Sequence, residues 1–487
     1  MSTSSASATA APTNPRSRVV VASLIGTSIE FYDFYVYATA AVLVFPTLFF
    51  PGEDAVVAQL SSFLTFALAF FARPIGSILF GHFGDRIGRK TTLVASLLTM
   101  GIATFLIGVL PTYASIGVVA PILLAVLRFG QGLGLGGEWS GAALLATENA
   151  PTGKRGVFGS IPQLGAPIGF ILANGLFLIL SLSLPTEAFL DFAWRIPFLL
   201  SAVLVGVGLY VRLRLVEAPV FREAVEKGAV VRIPLGRVFR SSWRQLIAGT
   251  FIMVATYVLF YFMTTFTLTF GTSPSVATEG FKIGLGFTRN EFLGLLLIGV
   301  VFFGIMTPIA GILADRFGRR KTLIVVTVAI IVFGLLFQPW LGESDGNPFV
   351  VVTFLIVGLA LMGLTFGPMG ALLPELFPTN VRYTGSGVAY NVASILGASL
   401  APIVALGLWT AAGNIFFVGL YLSGAAVITL IALLLTRETK DTDITETGAG
   451  EAGIGPKRTG QPGTGRSDQR GTGRTDEPVG SSGSLAP

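Results

Sequence analysis

The sequence predicts an all-α membrane protein of twelve transmembrane helices in two six-helix, pseudo-symmetric halves. Three observations carry this expectation: the chain is too apolar for a soluble fold, its apolar runs have membrane length, and one loop recurs in both halves. Of 487 residues, 52% are hydrophobic and 12% are charged, against roughly 25% charged in an ordinary soluble protein. Forty Phe and sixty Gly point the same way, because glycine lets membrane helices approach closely.

A helix crosses the hydrocarbon core in about 20 residues. Apolar runs of that size lie near 20–45, 60–82, 92–110, 117–147, 157–183 and 194–213. They resume near 245–270, 292–313, 322–341, 349–373, 385–410 and 415–436. The resulting domains are a flexible lead (1–18), a first half (19–213), a linker (214–244), a second half (245–437) and a disordered tail (438–487). The tail is rich in Gly, Thr, Ser, Asp and Arg, too polar to offset its chain entropy by burial. The lead has no short apolar core followed by a small-residue cleavage site, so a cleaved signal peptide is not expected.

Basic residues sort to one side of the predicted membrane. Arg16 and Arg18, Arg86 with Arg89 and Lys90, Lys154 with Arg155, seven arginines and lysines of the linker, Arg316 with Arg319 to Lys321, and Arg382 all fall in alternate loops. The opposite loops hold mainly Glu53, Asp54, Glu187, Asp191, Glu343 and Asp345, with Arg195, Lys282 and Arg289 as exceptions. The positive-inside rule then puts both termini and the linker in the cytoplasm of a multi-pass cell-membrane protein.

The internal repeat is explicit. Gly81, Asp85, Arg86, Gly88 and Arg89 recur as Gly311, Asp315, Arg316, Gly318 and Arg319, 230 positions on (85 to 315). A second pair, Glu148 to Arg155 and Glu375 to Arg382, is offset by 227 (148 to 375). Two matches at nearly one offset imply a duplicated six-helix unit, and such repeats place a substrate site between the halves. The loop acids beside cations read either as a charge latch closing the cytoplasmic side or as a solvated basic turn that only sets topology.

With the two D-R-x-G-R loops and the Pro374–Thr379 segment, the arrangement resembles the major facilitator superfamily. Glu30–Tyr35, Phe71–Gly76, Gln131–Trp139 and Trp194–Phe198 look more narrowly like its metabolite:proton symporter family, which includes proline/betaine, shikimate, citrate and 2-oxoglutarate carriers. The resemblance covers nearly all of residues 20–437. The tail lacks the coiled coil of the osmosensing betaine carriers, which weighs against an osmoregulated role.

An ionisable group at mid-membrane costs about 2.5–3.5 kcal/mol on insertion scales and so marks function and a partner. Glu30 and Asp33 sit i, i+3 on one face of the first span, with Tyr37 on the same stripe. Arg73 lies in the second span; Arg128, Gln131 and Glu138 share a quadrant of the fourth. A carboxylate parted from an arginine in a dry site favours its protonated form, so this cluster can carry a proton. The resemblance implies that Asp33 and Arg128 are the coupling pair, with Glu30 as the second acid. The alternative is a set of static interhelical ties. Arg73 belongs to the family pattern whatever the substrate. Candidate pocket residues are Arg73, Tyr37, Gln131, Glu138, Gln163, Asn174, Tyr257, Tyr261, Tyr390 and Asn391, each of which can instead be a tie between helices. Candidate gate residues are Gly81, Asp85, Arg86, Gly88, Arg89, Glu148 and Arg155 with Asp315, Arg316, Arg319, Glu375 and Arg382.

Several classes are excluded. With no cysteine and one histidine, His82, neither a metal site nor a histidine relay is expected. The formal charge of +6 resides in topology-setting loops, not in a nucleic-acid patch. Gly130, Gly132, Gly134, Gly136 and Gly137 lie in a membrane helix without the Lys-Thr of a nucleotide loop. No cofactor and no enzyme activity are expected. The reading is a monomeric carrier importing a small organic anion or betaine-like zwitterion with protons, the alternative being proton-driven export of a metabolite or drug.

Overall fold

The computed structural model describes residues 16–52, 54–87, 89–136, 138–213, 234–276, 284–378 and 381–442, with backbone alone for 16–19, 81–87, 89–91, 93, 212 and 234–237. The candidate gate residues Gly81, Asp85, Arg86 and Arg89 therefore have no described side chain, and Gly88 lies outside the described residues. The first half runs α1 (Arg16–Leu43), α2 (Ala55–Ile87), α3 (Arg89–Val109), α4 (Val119–Glu148), α5 (Arg155–Ser183) and α6 (Ala193–Val211). The second runs α7 (Trp243–Thr272), α8 (Arg289–Phe317), α9 (Arg319–Leu335), α10 (Pro348–Glu375), α11 (Arg382–Ala412) and α12 (Phe416–Leu435). Among the described residues nine of these are long and apolar enough to cross a membrane; α1, α3 and α9 complete the twelve.

Helices are the forced solution, because hydrocarbon offers no partner for an open backbone. Where ends need satisfying, side chains do it. Thr288 and Glu291 form a reciprocal capping box at the start of α8, and the Asn347 side chain accepts from Phe349 N at the start of α10. The α8–α9 turn passes through Gly318 at φ 103°, a backbone region that only glycine adopts without strain. Three π-helical segments interrupt the second half: Phe262–Phe266 in α7, Phe337–Gly342 after α9, and Ile395–Ser399 in α11.

Glycines set the closest helix crossings. A side chain at Gly132 would meet the Ala69 carbonyl at 2.3 Å, and one at Gly136 the Arg73 carbonyl at 2.1 Å, so α4 lies directly on α2. Between the halves, a side chain at Gly370 on α10 would collide with the Gly159 carbonyl of α5. The glycine run of α4 is thus a packing surface.

Three stretches differ in extent from the sequence expectation. Helix α1 begins at Arg16, inside the expected flexible lead, since no glycine or proline breaks the run from Arg16 to Ile25. Pro234–Ser241 forms a helix within the expected linker, with proline at a position where its missing N–H costs nothing. Glu438 to Thr442, assigned to the disordered tail, are ordered by hydrogen bonds to α9 and α10.

Gly132→Val should lower the apparent melting temperature of the purified carrier or abolish folded protein, since overpacking against backbone costs about 1–3 kcal/mol or more. Gly175→Ala should not lower it, because nothing lies within 4 Å of the one added carbon. Equal melting curves for both would contradict this packing.

Candidate transport site and its gates

Asp33 and Arg128 are each wholly buried at 0% exposure, yet no ion pair joins them. Gln131, one helical turn beyond Arg128, stands between. Its amide donates to the Asp33 carbonyl (3.1 Å) and to Thr104 Oγ1 (2.8 Å), and its Oε1 accepts from Arg128. Thr104 in turn reaches the Asp33 carboxylate at 3.4 Å. The guanidinium of Arg128 lies over the rings of Tyr37 (3.9 Å), Phe34 (4.4 Å) and Phe66 (4.9 Å) and donates weakly to the Phe66 carbonyl. Aromatic faces stabilise a desolvated cation by up to about 2 kcal/mol each. One Asp33 oxygen and one Arg128 nitrogen have no hydrogen-bond partner among the described residues.

Arg73 occupies a different place. It lines a small cavity between the halves, with Phe31, Phe34 and Tyr35 on one side and Thr256, Tyr257, Tyr261 and Tyr390 on the other. Its guanidinium lies 4.7 Å from the Phe34 ring and 5.0 Å from Phe70. Arg73 is only 6% exposed, and its Nε has no hydrogen-bond partner among the described residues. The Tyr257 hydroxyl is buried beside Tyr390. The cavity is small, about 20 Å³, room for about one water molecule. A second space of about 10 Å³ adjoins it, bounded by Tyr35, Phe260 and Tyr261 and lined by Thr39, Asn174, Thr264 and Thr265. This is a collapsed, occluded pathway.

Both ends are tied across the halves. At the D-R-x-G-R end the Asp315 carboxylate accepts from the backbone N–H of Gly156 (2.8 Å) and Val157 (2.9 Å), capping the first turn of α5 from the other half. Arg319 bridges Asp315 (3.1 Å) and Glu375 (3.2 Å), and Arg155 reaches Glu375 at 3.4 Å. Arg382 is anchored to the Pro374 and Phe377 carbonyls, within electrostatic reach of Glu148 and Glu375. Glu438 caps α9 through Arg319 N and Arg320 N, and the Thr439 hydroxyl donates to Glu375. At the opposite end, the Arg289 guanidinium sits 4.5 Å above the Phe189 ring and Asn290 donates to the Ser181 carbonyl.

The sequence-selected pocket residues therefore separate. Arg73, Tyr257, Tyr261 and Tyr390 line the central cavity. Tyr37 and Gln131 belong to the buried Arg128 cluster, Asn174 faces the adjoining space and bonds Thr39, and Gln163 and Asn391 tie the halves together. Glu30 and Glu138 are buried, each 6% exposed. Thr104, Trp139 and Glu438 were not singled out. Trp139 directly follows the motif acid Glu138, whereas a lone threonine in an apolar run carries no signal.

The chain matches the family model described as Major Facilitator Superfamily over residues 23–402 and again over 284–464. It belongs to that superfamily and is a multi-pass membrane transporter of metabolites. An inner membrane metabolite transport protein, YhjE, of Escherichia coli (strain K12) is 61% identical over 430 residues, covering 88% of this chain and 96% of that one. The shikimate transporter of the same organism is 35% identical (87% and 95% covered), and its proline/betaine transporter 32% (87% and 83%). The solved structure of a proton:xylose symporter, XylE, shares the fold at TM-score 0.67 and 17% identity, covering 87% of this chain and 96% of that one.

Asp315→Asn weakens two charge-assisted bonds to α5, each of a kind contributing about 1.5–3 kcal/mol. It should lower the apparent melting temperature clearly, while Asp345→Asn, at an exposed turn, stays within about 0.5 kcal/mol of wild type. No difference between the two variants would remove the cross-half cap from the account.

Proposed function

We propose that this chain is a proton-coupled symporter that imports a small organic acid anion or betaine-like zwitterion by alternating access, as a monomer with both termini cytoplasmic. One observation carries the substrate class: Arg73 is a buried cation, its Nε without a hydrogen-bond partner among the described residues, facing a cavity between the halves. Two aromatic faces offset part of the cost of burying this charge, and a substrate carboxylate would supply a further partner in the bidentate geometry that guanidinium favours. The tyrosine hydroxyls offer further donors, and the rings suit an apolar or quaternary-ammonium body. Shikimate, proline and betaine, named for the relatives, all carry a carboxylate group.

The proton assignment rests on the Asp33 cluster. Asp33 is the acid, Arg128 its alternating partner and Glu30 the second acid. Among the described residues, the second half has no comparable mid-helix acid and base, so coupling is assigned to the first half. The Asp315, Arg319, Glu375 and Arg155 network serves as the cytoplasmic gate, and the loop after α2 is its counterpart.

Reconstituted carrier should accumulate one or more radiolabelled carboxylates or betaines under an inward proton gradient, and a protonophore should abolish accumulation. Arg73→Ala should raise KM by roughly tenfold to a hundredfold, the loss of a charge-assisted pair, and Arg73→Lys should recover part of it. An unchanged KM in Arg73→Ala, or accumulation only under an outward proton gradient, would sink this reading.

A further inference from the structure

Beneath the cavity, toward the D-R-x-G-R end, lies an uncharged connection between the halves that the charge network does not include. The rings of Trp139 on α4 and Tyr390 on α11 stack with centroids 4.0 Å apart and planes 6° from parallel. The Trp139 indole N–H donates to Gln163 Oε1 at 2.8 Å, and Gln163 Nε2 donates across the halves to the Phe366 carbonyl at 3.0 Å. One residue beyond Tyr390, Asn391 Nδ2 donates to the Gly136 carbonyl and to Ser77 Oγ, both at 2.9 Å. Helices α2, α4 and α5 are thereby joined to α10 and α11 by one continuous set of contacts. All four side chains are at most 5% exposed.

We infer that the Trp139–Tyr390 stack, held by Gln163 and Asn391, is an inner gate that closes the floor of the substrate cavity and links its occupancy to release. The link is Tyr390 itself. Its ring closes the floor, while the same side chain lines the cavity beside Arg73 and meets Tyr257 edge-on at 5.4 Å. A group bound at Arg73 and the tyrosines therefore contacts a gate element directly, whereas the Asp315–Glu375 network touches none of the cavity lining. Neutral partners suit this position. A flat stack and amide–carbonyl bonds separate without leaving a charge in the dry pathway, which opening of an ion pair there would do. Trp139, Gln163 and Asn391 act through the stack and are positioning residues. The inference depends on the cavity between the halves and not on which ion or substrate the carrier uses.

The chain has no cysteine, so single cysteines report accessibility cleanly. Met362→Cys places a thiol on the cavity wall, and Lys321→Cys, at an exposed site, identifies which vesicle face carries the D-R-x-G-R loops. A membrane-impermeant thiol reagent is applied to vesicles of both orientations. Trp139→Ala in the Met362→Cys protein should raise the labelling rate from the D-R-x-G-R face by roughly tenfold, the loss of a stacked pair and the bond that holds it, with no rise from the other face. Gln163→Leu, which removes the indole's partner with little change of volume, should raise it by a smaller factor in the same direction. Tyr390→Phe should keep the wild-type rate, since the ring remains. Wild-type labelling in both Trp139→Ala and Gln163→Leu, or an equal rise from both faces, would overturn the inference.

Discussion

A guanidinium that no water reaches organises the first half of the molecule. Arg128 is wholly buried, and a full charge in that position persists only if the surroundings replace its hydration. Three aromatic faces, one amide oxygen and one backbone carbonyl do so incompletely. The arrangement requires α2 to lie against α4, so that Phe66 can offer both its ring and its carbonyl. Gly132, immediately after Gln131, removes the side chain that would hold the two helices apart. Packing, charge and the placement of Asp33 are therefore one problem with one solution.

The second half solves a different problem. Its described spans hold no such cluster, and its charged residues gather at the helix ends. There Asp315 performs for α5 what an N-cap residue ordinarily performs for its own helix. The repeat supplies matching loops, so each half can grip the other, but the interior of each half has diverged. Symmetry accounts for the matching loops, and the difference between the interiors accounts for a buried arginine of one half, Arg73, facing tyrosines contributed by the other.

Much of this was legible in the sequence because hydrocarbon imposes a length and a composition on every span, and because a duplicated loop is visible without any structure. Asp33, Arg128 and Arg73 stood out for the same reason: charge in an apolar run is costly. What was not legible is which neighbour a helix face meets. Asp33 and Tyr37 share a stripe by helical periodicity, but only the packed structure turns that stripe toward Arg128 while Phe31, Phe34 and Tyr35 face the cavity. Gln163 and Asn391 resemble pocket residues because polar groups in a membrane helix do; each donates to a backbone carbonyl of the opposite half, which no local pattern reveals. The ordered stretch from Glu438 to Thr442 escaped notice because its order comes from α9 and α10, not from its own composition.

We propose that the proton rides on the first half, at Asp33, separately from a substrate site at Arg73. Weakly buffered proteoliposomes provide the direct measurement: the external pH is followed while a transported substrate is added. Wild-type carrier should alkalinise the medium as substrate enters. Asp33→Asn should still exchange labelled for unlabelled substrate across the membrane, with no pH change. Substrate-driven alkalinisation that persists in Asp33→Asn at the wild-type extent would contradict the account.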